Sequence, residues 1–424
     1  MTKEEKGDII IKNNITEKAM TCIEFFDNNV IENIFTCLAV KPDKVILIGE
    51  NGRTLDIHIK RYKEFTDSKG LNITFKKRTV PRNDIDAITN TLCEIIDEGD
   101  DCTIDITGGD YMYIAAAGMI NERYSDSRIQ IHRINFLNSK AYDVDGDKKV
   151  LAENDMPKLK VRDCVRLFGG KVTKTAQSDY DIDDAAAADI DALWDICRAD
   201  PTTWNRQIGI LAAAEAETDE TDPLTTSVSV DFIENRLRAA DTEYKCFSAI
   251  IDKLTKAKLV RYRYADGVFI IKYKNPIIKE CLTVSGRALE LQIYRAAQKT
   301  GKDGALFYND VEKNVLIDWD GEDNSEKKEA VNEVDVVMMR GVVPVFVSCK
   351  NGNFRTEELY KLSAIAMQFG GKYAKKVLAV ANPIDIEKEA HILERAKEMN
   401  IKIMDNLCES DSKSILKKLC QFWS

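Results

Sequence analysis

The stretch NEVDVVMMRGVVPVFVSCK, residues 332–350, is the most decisive part of the sequence for the fold. Two apolar runs flank an Arg-Gly pair, which is typical of two antiparallel strands joined by a tight turn. Because side chains alternate between the faces of a strand, Glu333 and Asp335 share one face. Ser348 and Lys350 share one face for the same reason. Pairing across the hairpin then predicts that Asp335 lies close to Lys350.

An acid beside a lysine on paired strands is the arrangement that phosphodiester cleavage needs. Carboxylates bind Mg²⁺ or Mn²⁺, which neutralises the phosphate and lowers the pKa of a bound water. A nearby lysine can orient or deprotonate that water. Glu290, in a helical pattern upstream, supplies a further acid. The alternative is a surface hairpin with an Asp335–Lys350 salt bridge, but both residues adjoin very apolar runs, where an unused charge is costly.

The elements around this hairpin predict an α/β domain of order αβββαβ. We expect helices at 284–299, 356–369, 384–399 and 412–422, and strands at 315–319, 333–340, 343–350, 376–381 and 401–404. Downstream of the hairpin, Lys372, Tyr373, Lys375 and Lys376 form a basic and aromatic cluster that suits phosphates and bases, with a solvated charged face as the alternative. Tyr360 and Gln368 are candidates for positioning substrate.

The first 150 residues alternate strand and helix patterns. Strands are predicted at 20–26, 44–49, 71–76 and 102–107, helices at 30–40, 54–68, 84–98 and 111–123, and a hairpin at 129–136 and 140–145. Apolar strands that alternate with helices predict a mostly parallel sheet covered on both faces.

Three polar loops fall at one edge of this predicted sheet, where ligands bind in open α/β folds. Their glycines permit close approach of the backbone, and helix N-termini favour anions. Ordinary strand-to-helix turns are the alternative for each loop. Neither a Walker loop nor a dinucleotide fingerprint is present. The candidate ligand-binding residues are Asp27, Asn28 and Asn29; Gly49, Glu50 and Asn51; and Thr107, Gly108, Gly109 and Asp110.

The middle of the chain predicts a smaller module. Acidic stretches at 178–191 and 214–226 are interpreted as exposed linkers or surface insertions. Helices at 230–238 and 247–257, followed by strands at 259–264 and 268–273, give the order of a winged helix. The same order also occurs in spacer or dimerisation modules that do not contact DNA.

Composition excludes several classes of protein. A net charge of −10 means that a nucleic-acid site requires a local basic patch or bound cations. Scattered cysteines without a C-x-x-C pair favour reduced thiols in a cytoplasmic protein, and the presence of only three histidines argues against a His-rich metal site. The sequence has neither a signal peptide pattern nor an apolar run of about 18 residues, so we expect no membrane association.

Two resemblances extend this picture. D-I-T-G-G at 105–109 resembles the motif of the CARF domain, a CRISPR-associated sensor of cyclic oligoadenylates. That resemblance implies that two copies pair and that the ring-shaped ligand contacts the three loops across the two-fold axis. The αβββαβ order resembles the PD-(D/E)xK nucleases. One branch, the CARF-linked nucleases of type III CRISPR antiviral defence, is similar in G-R-A-L-E at 286–290, L-I-D-W-D at 316–320, N-E-V-D-V-V-M-M-R-G at 332–341, S-C-K-N-G at 348–352, E-L-Y-K-L at 358–362 and F-G-G-K-Y-A-K-K-V-L at 369–378.

The resemblance implies a Rossmann-like CARF domain at 1–155, a linker and winged-helix-like spacer at 156–283, and a restriction-endonuclease-like domain at 284–424. It implies a homodimer, allosterically activated by cyclic tetra-adenylate, that uses Mn²⁺ or Mg²⁺ to cut single-stranded DNA and RNA and to nick duplex DNA. The implied catalytic residues are Glu290, Glu333, Asp335, Ser348 and Lys350, and the implied metal ligands are Glu290, Asp335 and the carbonyl of Cys349. Ser348 departs from the family pattern, which has a carboxylate there.

Two other functions are compatible with the sequence. The chain could be a ligand-responsive transcription regulator that binds DNA through the winged-helix-like module, with an inert C-terminal domain. It could also be a nuclease whose N-terminal domain only dimerises. Sequence-specific duplex binding without cleavage would favour the first, and failure of any cyclic oligoadenylate to shift thermal stability would favour the second.

Overall fold

The computed structural model describes residues 20–98, 101–124, 129–135, 140–143, 156–173, 182–216, 222–239, 244–299, 304–319, 331–352 and 354–423. The chain divides into two compact units. The N-terminal unit contains the described residues from Met20 to Asp143, and the C-terminal unit contains those from Met156 to Trp423. None of the helices within the described ranges is long and apolar enough to cross a membrane.

The N-terminal unit is built on a mostly parallel sheet. Its elements are β1 (Met20–Phe25), α1 (Val30–Val40), β2 (Lys44–Gly49), α2 (Gly52–Ser68), β3 (Thr74–Thr79), α3 (Ile85–Asp97), β4 (Asp101–Asp105), α4 (Tyr111–Arg123), β5 (Ile129–Asn135) and β6 (Lys140–Asp143). The strand order is β3-β2-β1-β4-β5-β6, with only the last pair antiparallel. Apolar side chains of the central strands and of helices α3 and α4 form the core, so the predicted Rossmann-like architecture is confirmed.

The first part of the C-terminal unit contains the helices and strands between residues 161 and 283. They are α5 (Val161–Leu167), β7 (Lys171–Thr173), α6 (Asp184–Ala199), α7 (Pro201–Glu215), β8 (Thr225–Ser229), α8 (Val230–Ala239), α9 (Tyr244–Lys256), β9 (Val260–Ala265), β10 (Val268–Tyr273) and α10 (Pro276–Thr283). Strands β8, β10 and β9 form a separate antiparallel sheet in the order β8-β10-β9. With α8 and α9, this sheet gives the predicted winged-helix-like order.

The remaining elements form the second large sheet and its helices. They are α11 (Arg287–Ala297), β11 (Asp310–Asp318), β12 (Val331–Arg340), β13 (Val343–Lys350), α12 (Thr356–Gly370), β14 (Lys375–Val380), α13 (Ala390–Glu398), β15 (Ile401–Met404) and α14 (Ser412–Cys420), with short 3-10 turns at Gly371–Tyr373, Leu407–Glu409 and Gln421–Trp423. The strand order is β15-β14-β13-β12-β11-β7. The predicted αβββαβ order is therefore confirmed, and β7 adds an unpredicted edge strand from residues far upstream.

Interpretation of the first acidic stretch as an exposed linker is wrong for the residues that the structure describes. Helix α6 begins at Asp184, capped by Asp183, and buries Ala186 and Ile190. Its acids make contacts: Asp189 pairs with Lys274 at 2.6 Å. The acidic composition of this stretch is compatible with a linker, but the stretch forms an amphipathic helix. The apolar side of that helix packs with α11 and the large sheet in one hydrophobic core.

Two further boundaries differ from the prediction. The segment expected as one helix, 284–299, begins instead at Arg287, after Gly286 in the left-handed region with φ 87°. Part of the second acidic stretch is regular, because α7 extends to Glu215 and β8 begins at Thr225.

Candidate functional site

The hairpin of β12 and β13 fixes the position of Asp335. The strands pair in a register in which Val336 faces Val347, and Gly341 turns the chain with φ 62°. One step beyond that pair, Asp335 Oδ2 accepts a hydrogen bond from the Cys349 N–H at 2.6 Å. Ser348 Oγ lies 3.4 Å from the same oxygen. The carboxylate is thereby held at the end of β13 that carries Lys350.

Lys350 lies at this end but pairs with another acid. Its Nζ is 2.8 Å from Glu358 Oε2, at the start of α12. The predicted proximity of Asp335 to residues 348–350 is confirmed, whereas the simple Asp335–Lys350 surface pair is not formed. Lys350 still acts on Asp335 at a distance: its positive charge and the Cys349 N–H oppose the burial that raises the pKa of Asp335.

Glu290 is the most perturbed acid of the site. Its side chain is buried on α11 and is paired with Arg287. Burial, followed by repulsion from the Asp335 carboxylate, raises the pKa of Glu290 to about 7, against the opposing effect of Arg287. Two acids whose pKa values are both raised by burial, one of them also by the charge of the other, form an electrostatic site for a cation.

The sequence reasoning missed Arg287. This buried guanidinium is 2.9 Å from Glu280 through Nε and 3.9 Å from Glu333 through Nη2, in addition to its contact with Glu290. The available signal was its spacing, because residues three apart on a helix lie on the same face. Arg287 partly neutralises the carboxylates, so they can be buried together.

Cys349 is oriented away from the acids. Its thiol lies in the hydrophobic core with Val336 and Val347, and burial raises its pKa well above the ordinary value. Only its backbone groups face the site, as the alternation of β13 predicts. Glu333, Asp335, Ser348, Lys350 and Glu358 instead line a small cavity of about 30 Å³ against α12, which has room for water-sized groups.

The donor atoms at this site suit a hard divalent cation, although they form an incomplete cage. Glu290, Asp335 and the Cys349 carbonyl offer oxygen, which Mg²⁺ and Mn²⁺ prefer. Within the described ranges no three His, Cys, Asp or Glu side chains converge as a ready metal site. An ion here would therefore complete its shell with water or substrate phosphate, as Mg²⁺ commonly does.

The predicted basic and aromatic cluster is only partly exposed. Lys376 is buried, donates from Nζ to Ser363 Oγ at 3.2 Å, and has a pKa lowered by burial. Its inclusion in an exposed phosphate-binding cluster is wrong, because its position within β14 directs it into the interior. Lys372 lies over the Tyr373 ring. Tyr360 and Gln368 are exposed on α12, and their role stays a prediction.

The N-terminal unit contains a larger cleft at the predicted sheet edge. The cleft has a volume of about 470 Å³, within the usual range for small-molecule sites. Of the predicted ligand-binding residues, it is lined by Asp27, Asn28, Gly49, Glu50, Asn51, Gly109 and Asp110, whereas Asn29, Thr107 and Gly108 are not in its lining. The lining residues that sequence reasoning missed are Phe26, Thr54, Arg82 and Tyr113.

Hydrogen bonds connect the loops of this cleft. Asp27 accepts from Asn29 N–H at 2.7 Å and from Gly109 N–H at 3.3 Å, which joins the first loop to the third. Gly109 has φ 91°, and a Cβ there would lie 2.4 Å from Phe25 Cβ. Asn51 and Asp110 cap α2 and α4. The cleft therefore meets two capped helix N-termini, where anions are favoured.

The three predicted residues outside the lining have packing roles. Asn29 is buried. Thr107 accepts from the Ile134 N–H through Oγ1 at 2.8 Å and donates its own N–H to Asp105 at 2.7 Å. Gly108 packs closely against Glu32 and Asp27. Their contact with a ligand stays a prediction.

Comparison with known proteins identifies the C-terminal part of the chain. Residues 279–422 match the family "Card1-like, endonuclease domain". The C-terminal part is therefore similar to a Card1-like endonuclease domain, and a Rossmann-like unit precedes it in the chain. A search of curated proteins gives no match.

Two solved structures share the fold at low sequence identity. VC1899 from Vibrio cholerae is 16% identical, with a TM-score of 0.72, and covers 95% of this chain and 98% of its own. Can2 from Sulfobacillus thermosulfidooxidans, solved with cyclic tetra-adenylate, is 16% identical, with a TM-score of 0.64 over 96% of this chain and 99% of its own. A type III CRISPR defence DNA nuclease activated by cyclic oligoadenylate has a TM-score of 0.45 at 14% identity, over 86% of this chain and 46% of its own.

Proposed function

We propose that this chain is a divalent-metal-dependent nuclease of type III CRISPR antiviral defence, activated by cyclic tetra-adenylate. It cuts single-stranded DNA and RNA and nicks duplex DNA. The observation that carries the proposal is the 2.6 Å hydrogen bond from Cys349 N–H to Asp335, which fixes an acid at the lysine end of β13. The match of the same residues to an endonuclease domain supports this assignment.

Residues of the chain have distinct parts in the proposed reaction. Mg²⁺ or Mn²⁺ bound by Asp335, Glu290 and the Cys349 carbonyl would neutralise the phosphate and acidify a water molecule. Lys350, kept in place by Glu358, donates hydrogen bonds to the attacking water and offsets charge on the phosphate. Glu333, which lines the cavity and is exposed, would attract the hydrated cation.

Ser348 makes this site weaker than one with another carboxylate. Its hydroxyl contacts Asp335 at 3.4 Å but adds no negative charge. Arg287 further lowers the net negative charge around Glu290. We therefore expect an enzyme that requires a high concentration of metal and whose rate depends strongly on which metal is supplied.

The N-terminal cleft is the proposed activator site. Its volume, the capped N-termini of α2 and α4, and the Arg82 guanidinium suit a phosphate-rich ligand. Can2, which shares the fold, was solved with cyclic tetra-adenylate. In the proposed homodimer two such clefts face one ring. Activation requires that the ligand bind the active arrangement more tightly than the inactive one.

The test uses purified full-length chain with labelled single-stranded DNA, single-stranded RNA or supercoiled plasmid, in Mn²⁺ or Mg²⁺, with and without cyclic tetra-adenylate. We expect cutting that requires both metal and activator. Lys350→Ala should reduce the rate by about 100-fold or more and leave activator binding unchanged. Lys388→Ala, at an exposed lysine of the same unit, is the matched control. A rate of cutting that is the same with and without cyclic tetra-adenylate in both metals contradicts the proposal. Full activity of Lys350→Ala also contradicts it.

The transcription-regulator alternative is favoured by one observation, the winged-helix-like arrangement of α8, α9 and the β8-β10-β9 sheet. It predicts selective binding of one duplex sequence without cleavage. Selection from a random duplex library in EDTA distinguishes the two functions, because a nuclease that recognises backbone and metal enriches no sequence.

A further inference from the structure

The small sheet of the C-terminal unit has a strongly basic solvent face. Strand β9 is an edge strand, and its residues Arg261 and Arg263 are exposed. In the antiparallel register Arg261 faces Lys272 and Arg263 faces Ile270. Because directly opposed residues lie on the same side of a sheet, all three cations share one face. We call Arg261, Arg263 and Lys272 the wing face.

The wing face concentrates like charge at a cost. Arg261 and Lys272 are opposite one another, an arrangement that destabilises a strand pair. Lys272 is relieved by Asp222 at 3.1 Å. No such relief is available to the arginines, which form no ion pair within the described part of the chain. The chain as a whole has a net charge of −10, so this local excess of cations is not a consequence of a basic composition.

Two aromatic rings border the same edge. Tyr262 and Tyr264 alternate with the arginines along β9, so they lie on the other face of this edge strand, where they are 37% and 58% exposed. Both pack on Phe269, with ring centroids 5.9 and 5.0 Å apart. Tyr264 is thus a supported ring with most of its surface in solvent. Cations that follow a backbone beside exposed aromatic rings are the elements of single-stranded nucleic-acid binding.

We propose that the wing face binds the phosphate backbone of the nucleic-acid strand that the nuclease cuts, and that bases passing around the open edge of β9 contact the two tyrosines on its other face. Protection of an edge strand against aggregation also uses charged residues. That purpose does not require an arginine opposite a lysine, because charges of mixed sign protect an edge without repulsion. A polyanion removes the repulsion, and its phosphates provide the ion-pair partners that Arg261 and Arg263 do not have among the described residues.

This inference rests on the proposed nuclease function for the identity of the strand, but binding can be measured without cleavage. The experiment compares the wild-type chain with Arg261→Glu/Arg263→Glu, using fluorescence anisotropy of a labelled single-stranded oligothymidylate in EDTA over a series of salt concentrations. We expect affinity to fall by about tenfold or more, and the slope of log affinity against log salt to become shallower by about 1.4, for two lost phosphate contacts.

A matched variant reverses the same number of charges elsewhere. Lys60→Glu/Lys63→Glu changes two exposed lysines of α2 in the N-terminal unit. This variant should keep the wild-type salt slope. An equal loss of affinity in both variants, or wild-type affinity in Arg261→Glu/Arg263→Glu, overturns the proposal, the second result leaving edge protection as the explanation.

A small substrate separates this inference from the nuclease function. Bis(4-nitrophenyl) phosphate has no strand to reach a second surface. With Mn²⁺ and cyclic tetra-adenylate, Arg261→Glu/Arg263→Glu should hydrolyse it at the wild-type rate while cutting long single strands more slowly at low substrate concentration. If neither the wild-type chain nor the variant hydrolyses either substrate, but their affinities for oligothymidylate still differ, the proposed nuclease function is wrong. The proposal that the wing face binds nucleic acid is then still supported.

Discussion

Asn205 and Asn351 hydrogen-bond one another twice, across 146 residues of sequence. Asn205 Nδ2 on α7 donates to the Asn351 carbonyl at 2.9 Å, and Asn351 Nδ2 donates to Asn205 Oδ1 at 3.1 Å. Asn351 directly follows Lys350 and is buried. A helix of the middle region therefore fixes the backbone immediately after the proposed catalytic lysine.

Asn205→Ala should lower the rate of cutting by about tenfold, because removing one partner leaves buried polar atoms of Asn351 unsatisfied at a cost of about 1–3 kcal/mol. KM and activator affinity should not change. Thr202→Ala, at an exposed site on the same helix, is the control. Steady-state kinetics checks the prediction, and an unchanged kcat in Asn205→Ala would show that the Asn205–Asn351 pair does not position Lys350.

Glu290 should make stability depend on pH. Its pKa is raised from 4.5 to about 7, so the folded chain holds a proton that the unfolded chain releases. The favourable contribution is complete below about pH 4.5 and is lost as pH rises to about 7, amounting to about 3 kcal/mol. In EDTA, urea denaturation should show the wild-type chain losing stability relative to Glu290→Gln across this window. If the free energy of unfolding has the same pH dependence in the wild-type chain and in Glu290→Gln, the prediction is wrong.

The same titration should control the metal requirement. A cation competes with the proton on Glu290, so the concentration of Mn²⁺ for half-maximal activity should fall as pH rises through about 7. Activity measured over a matrix of pH and Mn²⁺ concentration tests this coupling. A metal requirement independent of pH in that window would place the ion away from Glu290.

Ser348→Asp should strengthen metal binding by about tenfold. The Ser348 hydroxyl lies 3.4 Å from Asp335 Oδ2, so the substitution places a second carboxylate beside Asp335. Without metal the same change should lower the melting temperature, since the acids repel one another. Ser348→Ala is the control and should alter neither quantity much. Metal titrations of activity and melting curves in EDTA measure both effects. Weaker binding in Ser348→Asp would mean that this side chain does not reach the ion.

Gly109→Ala should destabilise the N-terminal cleft. The φ of 91° disfavours any side chain, and the added Cβ would overlap Phe25 Cβ at 2.4 Å. We expect a loss of about 2 kcal/mol or more and weak binding of cyclic tetra-adenylate. Gly118→Ala in α4, where a Cβ meets nothing within 4 Å, should be neutral or slightly stabilising. Melting curves and calorimetric titration compare the two, and equal behaviour would refute the strain argument.

Local patterns were sufficient for much of the fold. Two apolar runs around an Arg-Gly pair predicted the β12–β13 hairpin, and the period of a strand predicted that Asp335 lies near residues 348–350. Local patterns failed where composition conflicted with amphipathicity. The acids of α6 favour a linker at the level of sequence, although Ile190 and its apolar neighbours pack into the common core.

The sequence by itself determined which elements form, which strand ends carry acids, glycines and amides, and where the nuclease-like segment lies, because these depend on periodicities of a few residues. Tertiary structure alone decided that Arg287 neutralises the acids, that Lys350 pairs with Glu358, and that Asn205 supports the chain after Lys350. It also decided which loop residues line the N-terminal cleft. The physical reason is that burial, charge compensation and pKa depend on neighbours brought together by packing, often from distant parts of the chain.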